Sequence, residues 1–258
     1  MKVVLFCGGL GTRLREHSET IPKPLVNIGY RPIVWHLMRY YAHFGHTEFV
    51  LCLGYRGDLV KEYFLNYSES DSNDFTLSEG GRHVEYHSSD IDDWKITFVD
   101  TGLHSNLGQR LVAAREYLDG EEIFLANYSD GLSDVSIESM IEEFKSKDAI
   151  ASFAAVRTWQ SFHAAKFDDD RHVTSLGELG EMDFWINGGF FVLRNEIFDY
   201  IQEGEELVEE PFGRLIESNK LIAFPHTGYW QSMDTFKDKI SFDRAYARGK
   251  TPWEVWKK

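Results

Sequence analysis

Three short apolar runs constrain this chain more than anything else in it: VVLFC closing Lys2–Cys7, FVLCL at Phe49–Leu53 and IFLANY at Ile123–Tyr128. Each is too short for a buried helix and too evenly apolar for a strand with one wet face, so each reads as a strand covered on both sides. Helical stripes separate them. After Pro32, a first-turn position that proline tolerates, Val34, Leu37, Tyr41 and Phe44 share one face. Leu59, Val60, Tyr63, Phe64 and Tyr67 trace a second helix, and Leu107, Leu111, Ala114 and Leu118 a third, with a strand at Trp94–Val99 between these two. Alternation of this kind predicts an α/β fold with a mostly parallel mixed sheet flanked by helices.

Past Ala149–Val156 the texture changes. Aromatic-rich runs near Phe162–Phe167, His172–Leu176 and Gly188–Leu193 predict an antiparallel or mixed C-terminal elaboration, closed by helices near Pro211 and over Thr235–Ala247. The polar stretch Ser68–Asp93 reads as a hairpin or loop excursion whose carboxylates are solvated. With 43% hydrophobic residues, residues 1–258 are expected to form a single domain.

Charge and cysteine usage narrow the setting. A formal charge of −15 disfavours nucleic acid and anionic membrane as partners. No run of about 18 apolar residues is present to span a bilayer, and the N-terminus has neither a basic n-region nor a small-residue cleavage site. The two cysteines, Cys7 and Cys52, both fall inside strand runs, which suggests core packing in a reducing cytoplasm. His36, His43 and His46 read as packing or surface residues, since no histidine spacing in the chain suggests zinc. The acidic run Glu203–Glu210 reads as a solvated face.

The first strand leaves through Gly8, Gly9 and Gly11 and reaches Arg13. Glycines there let the backbone close on an anion, and a guanidinium adds a fork for phosphate oxygens. Two familiar phosphate loops fail the test. The dinucleotide fingerprint needs a third glycine where Leu14 stands, and the P-loop reading of Gly249-Lys250-Thr251 needs a glycine where Arg244 stands.

A third comparison fits. GGLGTRL followed by Pro22-Lys23-Pro24 resembles the signature of the sugar-phosphate nucleotidyltransferases. YSDG at Tyr128–Gly131, VDTG at Val99–Gly102, INGGFFV at Ile186–Val192, WQSMDT at Trp230–Thr235 and PWEVW at Pro252–Trp256 are similar to the glucose-1-phosphate cytidylyltransferase branch. The resemblance implies a Rossmann-like nucleotidyltransferase fold. It implies Mg²⁺-dependent joining of CTP to a phosphorylated small molecule, with release of pyrophosphate and a CDP-linked product of the kind used for capsule or cell-surface polysaccharide. It also allows a homo-oligomer.

Residue by residue, it assigns Gly8, Gly9, Leu10, Gly11 and Thr12 to the triphosphate, Arg13 to the outgoing pyrophosphate, and Lys23 to the α-phosphate or the attacking phosphate. Asp130 and Asp234 would hold Mg²⁺. Ser105, Arg110 and Ser129 would contact nucleotide, and Glu178, Asn187 and Gly188 the acceptor. Three positions depart from the pattern. Gln109 and Ser129 each replace a family glycine, and Leu179 stands where the family carries the lysine that grips the acceptor phosphate. Three readings follow from the last. Lys166, Arg157 or Arg171 supplies the missing cation for a sugar 1-phosphate such as glucose 1-phosphate. The acceptor is instead a non-sugar phosphate, such as a phosphorylated amino-acid amide like phosphoglutamine, or phosphocholine. Or the chain is a noncatalytic nucleotide-binding protein.

Overall fold

The computed structural model describes residues 1–9, 21–157, 163–178 and 184–257. Its main sheet has seven strands: β1 (Val3–Cys7), β2 (Glu48–Leu53), β5 (Lys95–Asp100), β6 (Ile123–Tyr128), β8 (Ala151–Val156), β11 (Ile186–Arg194) and β12 (Leu221–His226). They lie in the order β12-β8-β11-β6-β1-β2-β5. Within it β1–β2, β1–β6, β2–β5 and β8–β12 pair parallel, while β11 runs antiparallel to both β6 and β8. Six carboxyl ends therefore share one edge of the sheet with the amino end of β11.

Both faces of this sheet are covered. Val3, Leu5 and Cys7 face one core with α1 (Ile33–His43) and α4 (Ile137–Ser146), joined by Trp253 near the C-terminus. Val4 and Phe6 face a second core with α3 (Leu107–Ala114) and α5 (Glu210–Glu217). Successive side chains of a strand point to opposite faces, so a strand between two helical layers must be apolar throughout. Pro32 precedes α1 with extended backbone, α2 spans Gly57–Leu65, and Thr235 caps α6 (Phe236–Ala247). Helices α1, α2 and α3 fall where the stripes predict, and α5 and α6 near Pro211 and from Thr235; the sequence reading places no helix at α4. β12 carries no strand signal in the sequence, because an edge strand reading LIAFPH has half-exposed faces.

The Ser68–Asp93 excursion contains a hairpin, β3 (Phe75–Ser78) with β4 (His83–Tyr86). One of its carboxylates departs from expectation. Asp90 is buried, and its Oδ2 accepts hydrogen bonds from the Tyr67 hydroxyl at 2.8 Å, the Ser72 hydroxyl at 2.5 Å and the buried Arg31 guanidinium at 3.4 Å. Arg31 also lies 4.1 Å from the Tyr67 ring centroid. A buried carboxylate is stable only when paired and bonded in this way, and here the pairing fastens the base of the excursion to the body. A second hairpin, β9 (His163–Phe167) with β10 (Val173–Glu178), links β8 to β11.

The closing PWEVW motif cages His36. Trp253, Trp256 and Tyr246 surround its ring together with Trp35. Nε2 donates to the Ile28 carbonyl at 3.0 Å, and Nδ1 has no partner among the described residues. Burial pushes the His36 pKa down to about 4 against the opposing pull of that hydrogen bond, and burial lowers His46 to about 4 as well. His43 is exposed. Both buried imidazoles are neutral in the fold, so below the ordinary value of 6.5 the unfolded chain binds more protons than the folded one. Stability is thus complete above that value and falls as pH drops from 6.5 toward 4. Thermal melts are expected to lose about 1–2 kcal/mol at pH 5 from His36 alone, and a His36→Asn variant to show a flatter acid limb. Equal pH slopes in the two proteins would contradict this role.

Candidate active site

The site lies along the edge of six carboxyl ends, where open α/β sheets bind ligands. Gly8 follows β1 and is buried; Gly9 is exposed. Leu10, Gly11, Thr12 and Arg13 lie outside the described residues. Gly8 is required for space. A Cβ there would meet Arg110 Nη1 at 2.0 Å, and one on Gly54 would meet the Gly8 carbonyl at 2.7 Å.

Arg110, in α3, occupies that space. It is 4% exposed. Nη1 donates to the Leu53 carbonyl at 3.1 Å, the Thr101 hydroxyl at 2.6 Å and the Gly102 carbonyl at 3.0 Å, while Nη2 donates to the Gly8 carbonyl at 3.0 Å. One guanidinium thus binds the carboxyl ends of β1, β2 and β5 together. Burial lowers its pKa, and backbone carbonyls with the Thr101 hydroxyl answer the charge. In this structure Arg110 holds the Gly8 backbone at the end of β1.

Ser129 is also buried, and its hydroxyl donates to the Phe6 carbonyl at 2.8 Å, tying β6 to β1. Ser105 donates to the Thr101 carbonyl at 2.5 Å, just ahead of α3. Gln109, in place of a family glycine, completes a capping box with Asn106: the Asn106 side chain accepts from Gln109 N at 2.9 Å, and the Gln109 side chain accepts from Asn106 N at 3.0 Å. Cys7 is no nucleophile. Burial pushes its thiol up to about 12, against a hydrogen bond with Ser129 that lowers it.

Lys23 begins a single 3-10 turn, Lys23–Leu25, between Pro22 in extended conformation and buried Pro24. Its ammonium lies 2.5 Å from Asp130 Oδ2 and 2.9 Å from Asp234 Oδ1. Burial alone would lower the Lys23 pKa, but the charges and hydrogen bonds of Asp130 and then Asp234 outweigh it and hold it above the ordinary lysine value. Lys23 is therefore a cation.

Backbone pairing brings the two aspartates together. Asp130 stands between β6 and β7 (Gly131–Ser133), which runs antiparallel to β13 (Trp230–Ser232) with Ser232 opposite Gly131. Met233 N donates to the Asp130 carbonyl at 2.8 Å, so Asp234 follows alongside. Among the described residues, Ser232, Asp238 and Asp134 fix the Asp234 loop. The Ser232 hydroxyl donates to Asp234 Oδ2 at 2.7 Å. Asp238 Oδ2 accepts from Asp234 N at 3.1 Å and Thr235 N at 2.7 Å. Asp134 accepts from Tyr229 N at 2.7 Å and bonds to His226 Nε2 at 3.1 Å. Of these supporting residues Ser232 and Thr235 fall within the WQSMDT motif; Thr235-x-x-Asp238 is a capping-box spacing that could have found Asp238 as well.

At the amino end of β11, Asn187 donates to the Tyr128 hydroxyl at 3.3 Å and accepts from Gly189 N at 2.9 Å. Gly188 has no room for a Cβ, which would meet Val156 Cγ1 at 2.8 Å, and its carbonyl accepts from Trp230 Nε1 at 2.8 Å. Gly189, at φ +81°, lies against the Tyr128 ring. Glu178 closes β10 opposite His163, and Leu179 lies outside the described residues. The fold thus gathers Gly8, Lys23, Asp130, Asp234, Asn187 and Gly188 along one edge, with Ser105, Arg110 and Ser129 holding the backbone behind it.

Two carboxylates that meet on the Lys23 ammonium fit a divalent metal, which needs few protein carboxylates when phosphate oxygens and water complete its shell. This sheet, with its glycine exit and paired aspartates, defines a nucleotide-handling α/β enzyme. Residues 2–248 match the nucleotidyl transferase family, and the chain belongs to that family. It is 37% identical over 258 residues to the probable glucose-1-phosphate cytidylyltransferase of Bacillus subtilis (strain 168), and 39% identical over 258 residues to the glucose-1-phosphate cytidylyltransferase of Salmonella typhi; both alignments cover 99% of this chain and all of the relative. The fold is similar to that of a putative glucose-1-phosphate thymidylyltransferase from Bacillus anthracis, with a TM-score of 0.68 at 18% identity, covering 96% of this chain and 95% of the other.

Proposed function

We propose that the protein is a Mg²⁺-dependent cytidylyltransferase that joins CTP to a phosphorylated small molecule, glucose 1-phosphate or a close relative, and releases pyrophosphate. The observation that carries this reading is the meeting of Lys23 with Asp130 and Asp234 at 2.5 and 2.9 Å, in a chain similar along its length to glucose-1-phosphate cytidylyltransferases.

The chemistry asks for no protein nucleophile. An acceptor phosphate oxygen attacks the α-phosphorus of CTP, the α–β bridging bond breaks, and its electron pair leaves on pyrophosphate. Two polyanions must be brought together, so positioning and charge neutralisation supply the catalysis. Asp130 and Asp234 would hold Mg²⁺, which when bound neutralises and orients the triphosphate. Lys23 offers its ammonium to the α-phosphate or the attacking phosphate from a turn stiffened by two prolines. The glycine segment that begins at Gly8, whose carbonyl accepts from Arg110, would receive the phosphate tail, with Arg13 assigned to the pyrophosphate end.

Leu179 leaves the acceptor phosphate without the family's lysine, a loss of about 1.5–3 kcal/mol for one charge-assisted hydrogen bond. Lys166 and Arg171 are both exposed on the β9–β10 hairpin. Arg157 follows the carboxyl end of β8, one residue past the Val156–Ile186 pair, with its guanidinium 5.0 Å from the centroid of the Trp185 ring. Its position two residues from the strand partner of Asn187 supports Arg157 as the compensating cation. The same substitution favours a second reading, in which the acceptor is a phosphorylated amino-acid amide or phosphocholine.

A coupled pyrophosphate assay decides between them. Turnover is expected with CTP and Mg²⁺ above the other triphosphates, and with at least one acceptor among glucose 1-phosphate, other sugar 1-phosphates, phosphoglutamine and phosphocholine. Activity confined to the last two would select the non-sugar reading. Silence across the panel, with no nucleotide binding by calorimetry, would overturn the assignment.

A further inference from the structure

We propose that Lys23 keeps the divalent-cation seat filled until nucleotide arrives, so that metal enters as its CTP complex and not as the free ion. The inference rests on the assignment of Asp130 and Asp234 as the metal-binding pair. Its ground is geometric: the ammonium touches one oxygen of each carboxylate, at 2.5 and 2.9 Å, and so occupies the space between the two side chains that would hold a divalent cation.

Electrostatics makes the two occupants exclusive. Two carboxylates facing one point repel each other unless a cation stands between them, and Lys23 supplies it inside the protein. The lysine side chain is 15% exposed and the carboxylates 25% and 31%, so the contacts are only partly screened by water. A second cation at that point would meet the ammonium at close range, and a free divalent ion would have to expel it with no new partner to offer it. A nucleotide changes the balance, because its triphosphate brings anionic oxygens to which the ammonium can move.

The exchange is local. Pro22 and Pro24 hold the backbone on either side of Lys23, which leaves the flexible four-carbon stem as the part that swings. Asp234 stays in place during the swing because Ser232 and Asp238 hold its loop independently of Lys23. One charge then has two successive partners, carboxylates before substrate and phosphate after it.

Direct binding of Mn²⁺, followed by its electron paramagnetic resonance signal, tests this without turnover. Without nucleotide, the Lys23→Ala variant is expected to bind Mn²⁺ at least about tenfold more tightly than the wild-type protein, and Lys23→Arg, which keeps a cation, to bind as weakly as wild type. Adding CTP should bring wild type close to the alanine variant. The double variant Lys23→Ala, Asp130→Asn should lose the gained affinity, which locates the ion at this pair. Equal nucleotide-free Mn²⁺ affinity in wild type and Lys23→Ala would overturn the inference while leaving a positive pyrophosphate assay, and the functional assignment, intact. If neither protein takes up Mn²⁺ even with CTP, the metal assignment falls and this inference with it. Melting curves of each variant establish that the proteins compared are folded.

Discussion

Replacing Lys23 with alanine is expected to lower the turnover number about 10²–10³-fold while the Kd for CTP with Mg²⁺ changes by less than about tenfold. Two effects oppose each other in the bound state and only one acts in the transition state. In the ground state the variant loses an ammonium–phosphate attraction, but its aspartates no longer need to release a cation before taking the metal. In the transition state negative charge shifts between the attacking oxygen, the α-phosphorus and the leaving pyrophosphate, and a cation fixed nearby is worth most there. Single-turnover kinetics beside equilibrium CTP binding separates the two quantities. A turnover within about threefold of wild type would remove Lys23 from the chemistry, and equal losses in binding and turnover would reduce it to a binding contact.

Arg110→Leu is expected to be the most damaging substitution to the fold, at about 3–5 kcal/mol by denaturant unfolding. The change keeps apolar bulk but removes the guanidinium's own hydrogen bonds to the Gly8, Leu53 and Gly102 carbonyls and to the Thr101 hydroxyl. Other donors remain for some of these: Tyr55 N reaches the Gly8 carbonyl at 3.3 Å, and Thr101 N and hydroxyl reach Leu53 at 2.9 and 2.7 Å. What is lost with no local substitute is the tie between three strand ends. Arg110→Lys should recover little, since one ammonium cannot reproduce a fork aimed at acceptors on β1, β2 and β5 at once. Nucleotide affinity should fall along with stability, because Gly8 opens the segment proposed to hold the triphosphate. A stable Arg110→Leu protein with much weaker CTP binding would instead assign the guanidinium to the nucleotide itself.

Much of the fold is legible in the sequence because its periodicities are local. A strand packed on both faces must be apolar at nearly every position, as VVLFC is throughout and IFLANY is but for Asn127, and a helix covering it must carry a stripe, as α1 and α3 do. Departures occur where that logic weakens. β12 is an edge strand with mixed exposure, and β7 and β13 are three residues each, too short for any period to register. Asp90, one acid among many in a polar stretch, gives no sign that Arg31 waits for it across the fold.

The site divides in the same way. Gly8, Lys23 between its prolines, and the aspartate after IFLANYS could be singled out from residue type and neighbours, since backbone approach, stiffness and placement at a strand end are properties of a few adjacent residues. Their relations could not. Lys23 meets an aspartate 107 residues downstream and another 211 residues downstream, and that meeting depends on the β7–β13 register, which no local pattern encodes. Arg110 is assigned to the nucleotide by resemblance and in three dimensions holds the backbone at Gly8, because only packing decides which of several acceptors a buried guanidinium reaches. The sequence by itself therefore determined which chemical groups this chain carries to the sheet edge. The tertiary structure alone decided which of those groups touch, because contact at hydrogen-bond range is set by strand order and register and not by spacing along the chain.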